Sequence, residues 1–402
     1  MKFYQLTPAQ RRALLSKQGI KLDEIEASTL ERLDQLSENV VGQLRLPLGL
    51  VTGLLVNGHS YLVPLATEEP SVVAAANHGA TLFARSGGVQ SVSKRDGIYG
   101  QIILQITADI DLIKLQEQFP QLIALANKQF SSLVNHGGGV KNIKMRREAE
   151  LLYLQVLVDP AEAMGANKVN SILEFLAEKL VQLPGITAKL FAILSNYPSQ
   201  LTKAQVKLDL SLLGGLQVAQ KIALLSQIGQ TDVYRAVTNN KGIMNGVDAV
   251  LTATGNDVRA VEAACGVLAS QSGQYSSLSK WQVVDNQLCG ELTLPLAIGT
   301  VGGSITARKD VQQAYRILGN ITTSELANII TAVGLANNLA ALLAIATTGI
   351  QVGHMKLQAR NLVANIPMTA AERSHVLKLM VKNKKYSQAA VAEYLKQIRG
   401  EQ

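Results

Sequence analysis

The sequence predicts an α+β protein with a large helix-rich domain around a long central helix, a small inserted α+β domain and a C-terminal helical flap. Three observations predict it. First, strand-like runs at 99–107, 151–158, 186–195 and 204–210 interleave with a helix-like run at 112–134 and a second helix with Val169, Ile172, Leu173, Leu176 and Leu180 on one face. That order suggests an α+β unit of its own. Second, residues 326–355 contain no Lys, Arg, Asp or Glu. Asn328, Asn337 and Asn338 would sit badly against lipid, so this stretch reads as a buried core helix rather than a membrane span. Third, the chain turns basic near Gly353, and Lys378, Lys382, Lys384 and Lys385 precede a last amphipathic helix at 388–399. The expected domains are 1–92 with 201–350, then 93–200, then 351–402.

The elements follow in order. Thr7-Pro8 is an N-cap with proline at the first helical position, and Leu30, Leu33 and Leu36 recur at helix spacing. Strand-like residues 44–64 are broken by Asn57-Gly58, a hairpin signal. Glu68-Glu69-Pro70-Ser71 then opens an alanine-rich helix. After about Leu216 the chain is helix-rich, with glycine-punctuated loops.

Composition narrows the function. The 402 residues are 47% apolar and 17% charged, which excludes wholesale disorder. Aromatics are 4%, with Trp281 the single tryptophan, so a base-stacking nucleic-acid platform is not expected. The net charge of +8 is too mild to demand nucleic acid; it would suit a polyanionic small molecule, or nothing in particular. Cys265 and Cys289 make neither a disulfide framework nor a zinc site, and no secretory leader is read. A cytoplasmic protein without metal, membrane or nucleic acid is the expectation.

Several segments carry chemistry-bearing residues. Asn239 to Gly246 reads as a loop with one cation, Lys241, and two glycines. It could polarise a carbonyl, but a solvated turn explains it as well. In Thr254-Gly255-Asn256-Asp257, Asn256 is the expected N-cap, Asp257 lies in the first helical turn, and Arg259 can pair with Glu262. Glu68 and Glu69 stand at another helix start. His354 lies at the junction with the basic appendage, where a proton shuttle could act. Met164-Gly165-Ala166-Asn167 opens a helix whose amides could cradle a pyrophosphate, although no GxGxxG is present. Each segment alone has a structural explanation.

Taken in order, these motifs, with Glu38-Asn39-Val40-Val41-Gly42 before them, resemble 3-hydroxy-3-methylglutaryl-CoA reductase of the soluble bacterial class (class II), over nearly the whole chain. The resemblance implies reduction of 3-hydroxy-3-methylglutaryl-CoA through mevaldehyde to mevalonate and CoA, with two NAD(P)H. Lys241 would stabilise the developing alkoxide, Glu69 would donate a proton, Asp257 would lie between Lys241 and Glu69 and tune both, and His354 would protonate the CoA thiolate. Arg235 would bind the substrate carboxylate, with Ser71 and Asn245 on its polar groups. Glu162, Met164, Gly165 and Asn167 would contact the cofactor on the small domain, the appendage would be a mobile flap, and a homodimer or a dimer-based oligomer is implied.

The chain departs from the family pattern at three points. Glu162 replaces an aspartate, Gln358 a second histidine, and Phe130 the aspartate of NAD-preferring members. The last change favours NADPH over NADH, with Lys128, Arg146 and Arg147 as expected phosphate partners. The alternatives are a non-catalytic CoA-ester-binding relative and the same enzyme run oxidatively with NAD.

Overall fold

The computed structural model describes residues 2–347, 349, 359–360, 362–364 and 366–400. The chain forms two compact units, Met1–Pro47 and Leu48–Gln402. In the first, α1 (Pro8–Lys17) begins as its sequence dictates: Thr7 Oγ1 accepts from Gln10 N, and Gln10 Oε1 accepts from Thr7 N. Arg11 is buried and ties α1 to α2 (Ala27–Asp34) through Asp34.

The second unit opens with a hairpin, β1 (Leu48–Val56) and β2 (His59–Ala66). Its turn is Asn57-Gly58, with φ of 50° and 83°, the left-handed pair such a tight turn needs. Helix α3 (Val72–Arg85) and strand β3 (Gln90–Ser93) follow.

The small domain then runs β4 (Ile98–Ile106), α4 (Leu112–Glu117), α5 (Phe119–Gln129), α6 (Ser131–Asn135), β5 (Gly139–Glu148), β6 (Leu151–Asp159), α7 (Ala166–Leu180) and β7 (Ile186–Ser195). Its antiparallel sheet has the order β5-β6-β4-β7, the split-βαβ arrangement of ferredoxin-like folds. An aliphatic core including Ile102, Leu154, Ile172 and Leu176 lies between sheet and helices.

Three expectations need correction here. The run at 204–210 belongs to a different sheet, and the small domain's remaining strand is β5. Its Lys141, Lys144, Arg146 and Arg147 hide the strand pattern. The helix expected over 112–134 is three short helices, because Pro120 cannot donate a helical hydrogen bond and the helix restarts around it.

The chain returns through β8 (Leu201–Asp209), α8 (Leu216–Thr231), α9 (Val233–Ala253), α10 (Val258–Ala269), β9 (Ser279–Val284), β10 (Gln287–Pro295), α11 (Gly303–Ala307), α12 (Lys309–Leu318) and α13 (Thr323–Ala346). Strands order as β3-β8-β10-β9. Helix α13 is the uncharged stretch, started by a capping box between Thr322 and Glu325. It is long and apolar enough to cross a membrane, yet 78% of its most apolar window is buried inside the protein. At 24 residues it runs about 36 Å through the main core. It packs on α3, α9 and the second sheet. Finally α14 (Ala370–Asn383) and α15 (Gln388–Arg399) share a separate core of Val376, Met380, Val391 and Tyr394 with Ala359 and Val363.

Candidate active site

A cavity of about 450 Å³ opens among α3, α9 and α13. The segment before α3 supplies Glu69 and Ser71. Ser71 holds φ at 83°, a left-handed conformation that costs a non-glycine residue about 1–3 kcal/mol. Its Oγ is buried with no partner among the described residues. Helix α3 is fixed on both sides. Asn77 bridges to β1, accepting from Thr52 N and donating to Leu50 O. Gly79 lets the helix lie against α13, since a Cβ there would stand 2.4 Å from Ala336 O.

The segment expected as a loop around Lys241 lies inside α9. Asp232 caps this helix by accepting from Arg235 N at 2.7 Å. Two glycines and three asparagines disfavour a helix locally, but packing decides otherwise. A Cβ on Gly246 would meet Asn337 Nδ2 at 2.3 Å, so the glycine serves close helix contact rather than a turn. At helical spacing, Arg235, Thr238, Lys241, Gly242 and Asn245 all face the cavity.

Lys241 Nζ donates to Glu69 Oε2 at 2.6 Å, across 172 residues of sequence. Arg235 Nε is buried with no partner among the described residues, and burial lowers the guanidinium pKa. The expected residues Glu69, Ser71, Arg235, Lys241 and Asn245 therefore share one cavity.

Other expected residues stand elsewhere. Asp257, not Asn256, is the N-cap of α10. Its Oδ1 accepts from Ala260 N at 3.1 Å and lies 3.7 Å from Arg259 Nε, and Asp257 is not among the residues lining the cavity. Asn256 instead accepts from Gly299 N. Glu262 faces Asp248 on α9 rather than Arg259. Burial and Glu262 push the Asp248 carboxyl up to about 8. His354 lies outside the described residues, as do Gly353 and Gln358.

Met164, Gly165 and Asn167 stand at the start of α7, where Gly165 has φ of 88° and no side chain caps the helix. Glu162 Oε2 accepts from Thr323 N at 2.6 Å, joining this loop to the start of α13. Burial raises the Glu162 pKa, but the Thr323 hydrogen bonds, the Arg95 charge and Thr300 together outweigh it and the net shift is downward.

Phe130 caps α5 and meets Phe175 edge to face. Arg146 is committed to Glu148 and Tyr153, and Arg147 to backbone carbonyls. The cation over the Phe130 ring is Lys168, at 5.8 Å, which the sequence reading did not single out. Also unpredicted on the cavity wall are His78, Thr238, Asn337 and the small residues Ala340, Ala341 and Ala344. Helical spacing from Lys241 would have pointed to Thr238 had α9 been recognised.

A paired ammonium and carboxylate thus share one cavity with an arginine whose Nε is buried. Comparison makes this particular. The profile of hydroxymethylglutaryl-coenzyme A reductase matches residues 7–359. The 3-hydroxy-3-methylglutaryl-coenzyme A reductase of Archaeoglobus fulgidus is 36% identical over 410 aligned residues, covering 99% of this chain and 94% of that protein. A probable 3-hydroxy-3-methylglutaryl-coenzyme A reductase of Borreliella burgdorferi is 39% identical, over 82% of this chain and 78% of that protein.

Two solved structures from Streptococcus pneumoniae match as well. One 3-hydroxy-3-methylglutaryl-coenzyme A reductase gives a TM-score of 0.76 at 38% identity, covering 98% and 99% of the two chains. A class II enzyme bound to NADPH in open conformations gives 0.74 at 40%, covering 86% and 99%. The chain belongs to the hydroxymethylglutaryl-coenzyme A reductase family.

Proposed function

We propose that the cavity among α3, α9 and α13 is where this class II reductase converts 3-hydroxy-3-methylglutaryl-CoA to mevalonate and CoA in the mevalonate pathway. The carrying observation is a pair of buried atoms, Ser71 Oγ and Arg235 Nε, with no partner among the described residues, on the walls that also hold Lys241. Such atoms are costly unless a ligand satisfies them. Arg235 and Lys241 lie about 9 Å apart along α9, so both side chains can reach a single six-carbon acyl group. The guanidinium takes the free carboxylate, Ser71 and Asn245 hold the polar groups, and the ammonium faces the thioester oxygen.

Reduced nicotinamide, when bound at the start of α7, would supply the two hydrides, one for the thioester and one for the aldehyde. Lys241 stabilises the alkoxide formed each time. Collapse of the first alkoxide expels the CoA thiolate, which His354 protonates so that it does not return to the aldehyde. Glu69, hydrogen-bonded to Lys241, delivers the proton that completes the alcohol. Two hydrides and two protons are consumed per mevalonate and CoA released.

The start of α7 fits a dinucleotide. Gly165 leaves the first-turn amides without a side-chain cap, and the 15-residue helix directs its dipole there. Met164, Asn167 and Glu162 shape that loop. Lys168 beside Phe130 favours a 2′-phosphate, hence NADPH over NADH and the reductive direction.

A strip of exposed apolar side chains, Leu224 and Ile228 on α8 with Val233, Tyr234 and Val237 on α9, adjoins the cavity face, and Tyr234 is 89% exposed. A second copy covering it makes a homodimer. Two free cysteines suit a reducing cytoplasm.

The test is turnover. Protein mixed with 3-hydroxy-3-methylglutaryl-CoA should oxidise two NADPH per CoA released, followed by near-ultraviolet absorbance. Lys241→Ala should cost about 10³-fold or more in kcat while the melting temperature holds. Wild-type kcat in that variant would remove Lys241 from the mechanism.

A further inference from the structure

The back of α9 carries a buried polar network that the reaction chemistry does not use. Asn338 on α13 is 1% exposed. Its Oδ1 accepts from Trp281 Nε1 at 2.7 Å and from Ser279 Oγ at 2.8 Å, and its Nδ2 donates to Asn239 Oδ1 at 2.8 Å. Asn239 Nδ2 in turn donates to Ser277 Oγ and Ser279 Oγ. Asn240 donates to Ser276 O and accepts from Leu278 N. Two successive α9 residues are thus bonded to the 276–279 segment, immediately before Lys241.

Helix geometry gives this arrangement a consequence. Residues 239 and 241 are about 200° apart around the helix axis. What grips Asn239 from behind sets the angle at which Lys241 faces forward. The same grip reaches α13 one residue from Asn337, which lines the cavity beside Asn245. Gly246 and Gly334 let the helices approach: Cβ atoms there would come within 2.3 Å of Asn337 Nδ2 and 2.9 Å of Val247 Cγ2. Close approach through small residues leaves rotation and sliding open, whereas a directional hydrogen bond between Asn239 and Asn338 does not.

We propose that Asn239 and Asn338 are positioning residues: they clamp α9 to α13 and fix where Lys241, Asn245 and Asn337 stand around the substrate. This rests on the cavity being the substrate site, as argued above. The small domain takes no part in the network, so substrate handling should respond to its loss and cofactor handling should not.

The experiment uses the full chain. Asn239→Leu and Asn338→Leu remove the helix-to-helix bond at similar volume. Asn239→Asp keeps an acceptor toward Asn338, and the neighbouring serine hydroxyls can turn to donate. Both leucine variants should raise KM for 3-hydroxy-3-methylglutaryl-CoA about tenfold and lower kcat by about 10- to 100-fold, the scale of a displacement near 1 Å. KM for the nicotinamide should stay within twofold. Asn239→Asp should recover most of the substrate KM.

Trp281, the single tryptophan, reports the other end of the network. Its emission should shift in Asn338→Leu, which loses the indole acceptor, and stay put in Asn239→Leu. Loss of folded protein lowers kcat but moves neither KM, so a wild-type substrate KM in both leucine variants overturns the proposal. Equal damage from Asn239→Asp and Asn239→Leu overturns it too. Ser277→Ala, a milder change that removes one partner of Asn239, carries the same KM test if a leucine variant does not fold. Lys241→Ala is run alongside: unchanged turnover there would defeat the site assignment itself, whatever the asparagine variants do.

Discussion

The small domain and the main core are built on different principles. Among the described residues, no polar side chain is buried between Ile98 and Ser195. Its interior is Leu, Ile, Val, Ala and Phe119. The main core buries Asn239, Asn240, Ser277, Ser279, Thr331, Asn337 and Asn338 around the same helices that hold the cavity. Apolar packing is strong but tolerant of small shifts and of volume-conserving exchange. Buried hydrogen bonds add direction, and leaving one unmade is expensive. Under the proposed function, rigid polar packing lies where an acyl group must be held to fractions of an ångström, and tolerant packing lies where a cofactor-carrying domain needs only to stay folded.

Substitutions at four positions can break or sharpen that contrast. Leu173 is fully buried on α7 and packs over Gly100. Leu173→Ala should cost about 2–5 kcal/mol of stability in a denaturant melt. Its KM for 3-hydroxy-3-methylglutaryl-CoA should stay at the wild-type value; a large rise would show that the two cores are not separable in this way.

Arg235→Ala should do the reverse, raising that KM about 100-fold with little change in the melt, because a charged hydrogen-bonding group is lost from the ligand's side. Arg235→Lys should restore only part of the affinity, since a point charge replaces two directed N–H groups. If steady-state kinetics gave an unaltered KM for the alanine variant, Arg235 would not be the carboxylate partner.

Lys168→Gln probes the cofactor end. It should weaken NADPH about tenfold in kcat/KM and leave NADH nearly unchanged, the loss of one charge-assisted contact to phosphate. Equal effects on both cofactors would move the phosphate elsewhere.

The smallest effect belongs to Asp248, whose carboxyl is raised by burial and by Glu262 to about 8. A raised carboxyl contributes stability while protonated. That contribution is complete below the ordinary value near 3.8 and is lost as pH rises through about 8. Asp248→Asn should therefore gain on the wild type across that window, by about 2–4 °C in Tm, and level off above it. A difference that does not vary with pH would mean the pair does not share its proton.

Much of this was legible beforehand, and the failures have physical causes. Thr7-Pro8 and Asn57-Gly58 specify their own local geometry, so cap and hairpin stand where expected. Lys241 was assigned to a loop because asparagine and glycine disfavour helix by up to about 1 kcal/mol each. The packing of α9 against α13 overrides that preference, and the glycines prove to be contact surfaces. Asp257 was separated from its capping role by one residue, since either Asn256 or Asp257 can cap and only the path of the chain chooses. Strand β5 was missed because its solvent-facing basic residues mask the alternation. Lys168 had no signal at all: its closeness to Phe130 spans 38 positions of sequence.

Sequence by itself determined the family, the reaction and five of the side chains around the cavity, Glu69, Ser71, Arg235, Lys241 and Asn245. It also determined the central helix, since a long uncharged stretch has nowhere stable to go but inward. Only the tertiary structure decided that Glu69 meets Lys241, that Arg235 Nε is buried with no partner among the described residues, and that asparagines on two distant helices grip one another. Those are facts of distance between remote segments, set by how helices of particular shapes pack, and no local preference encodes them.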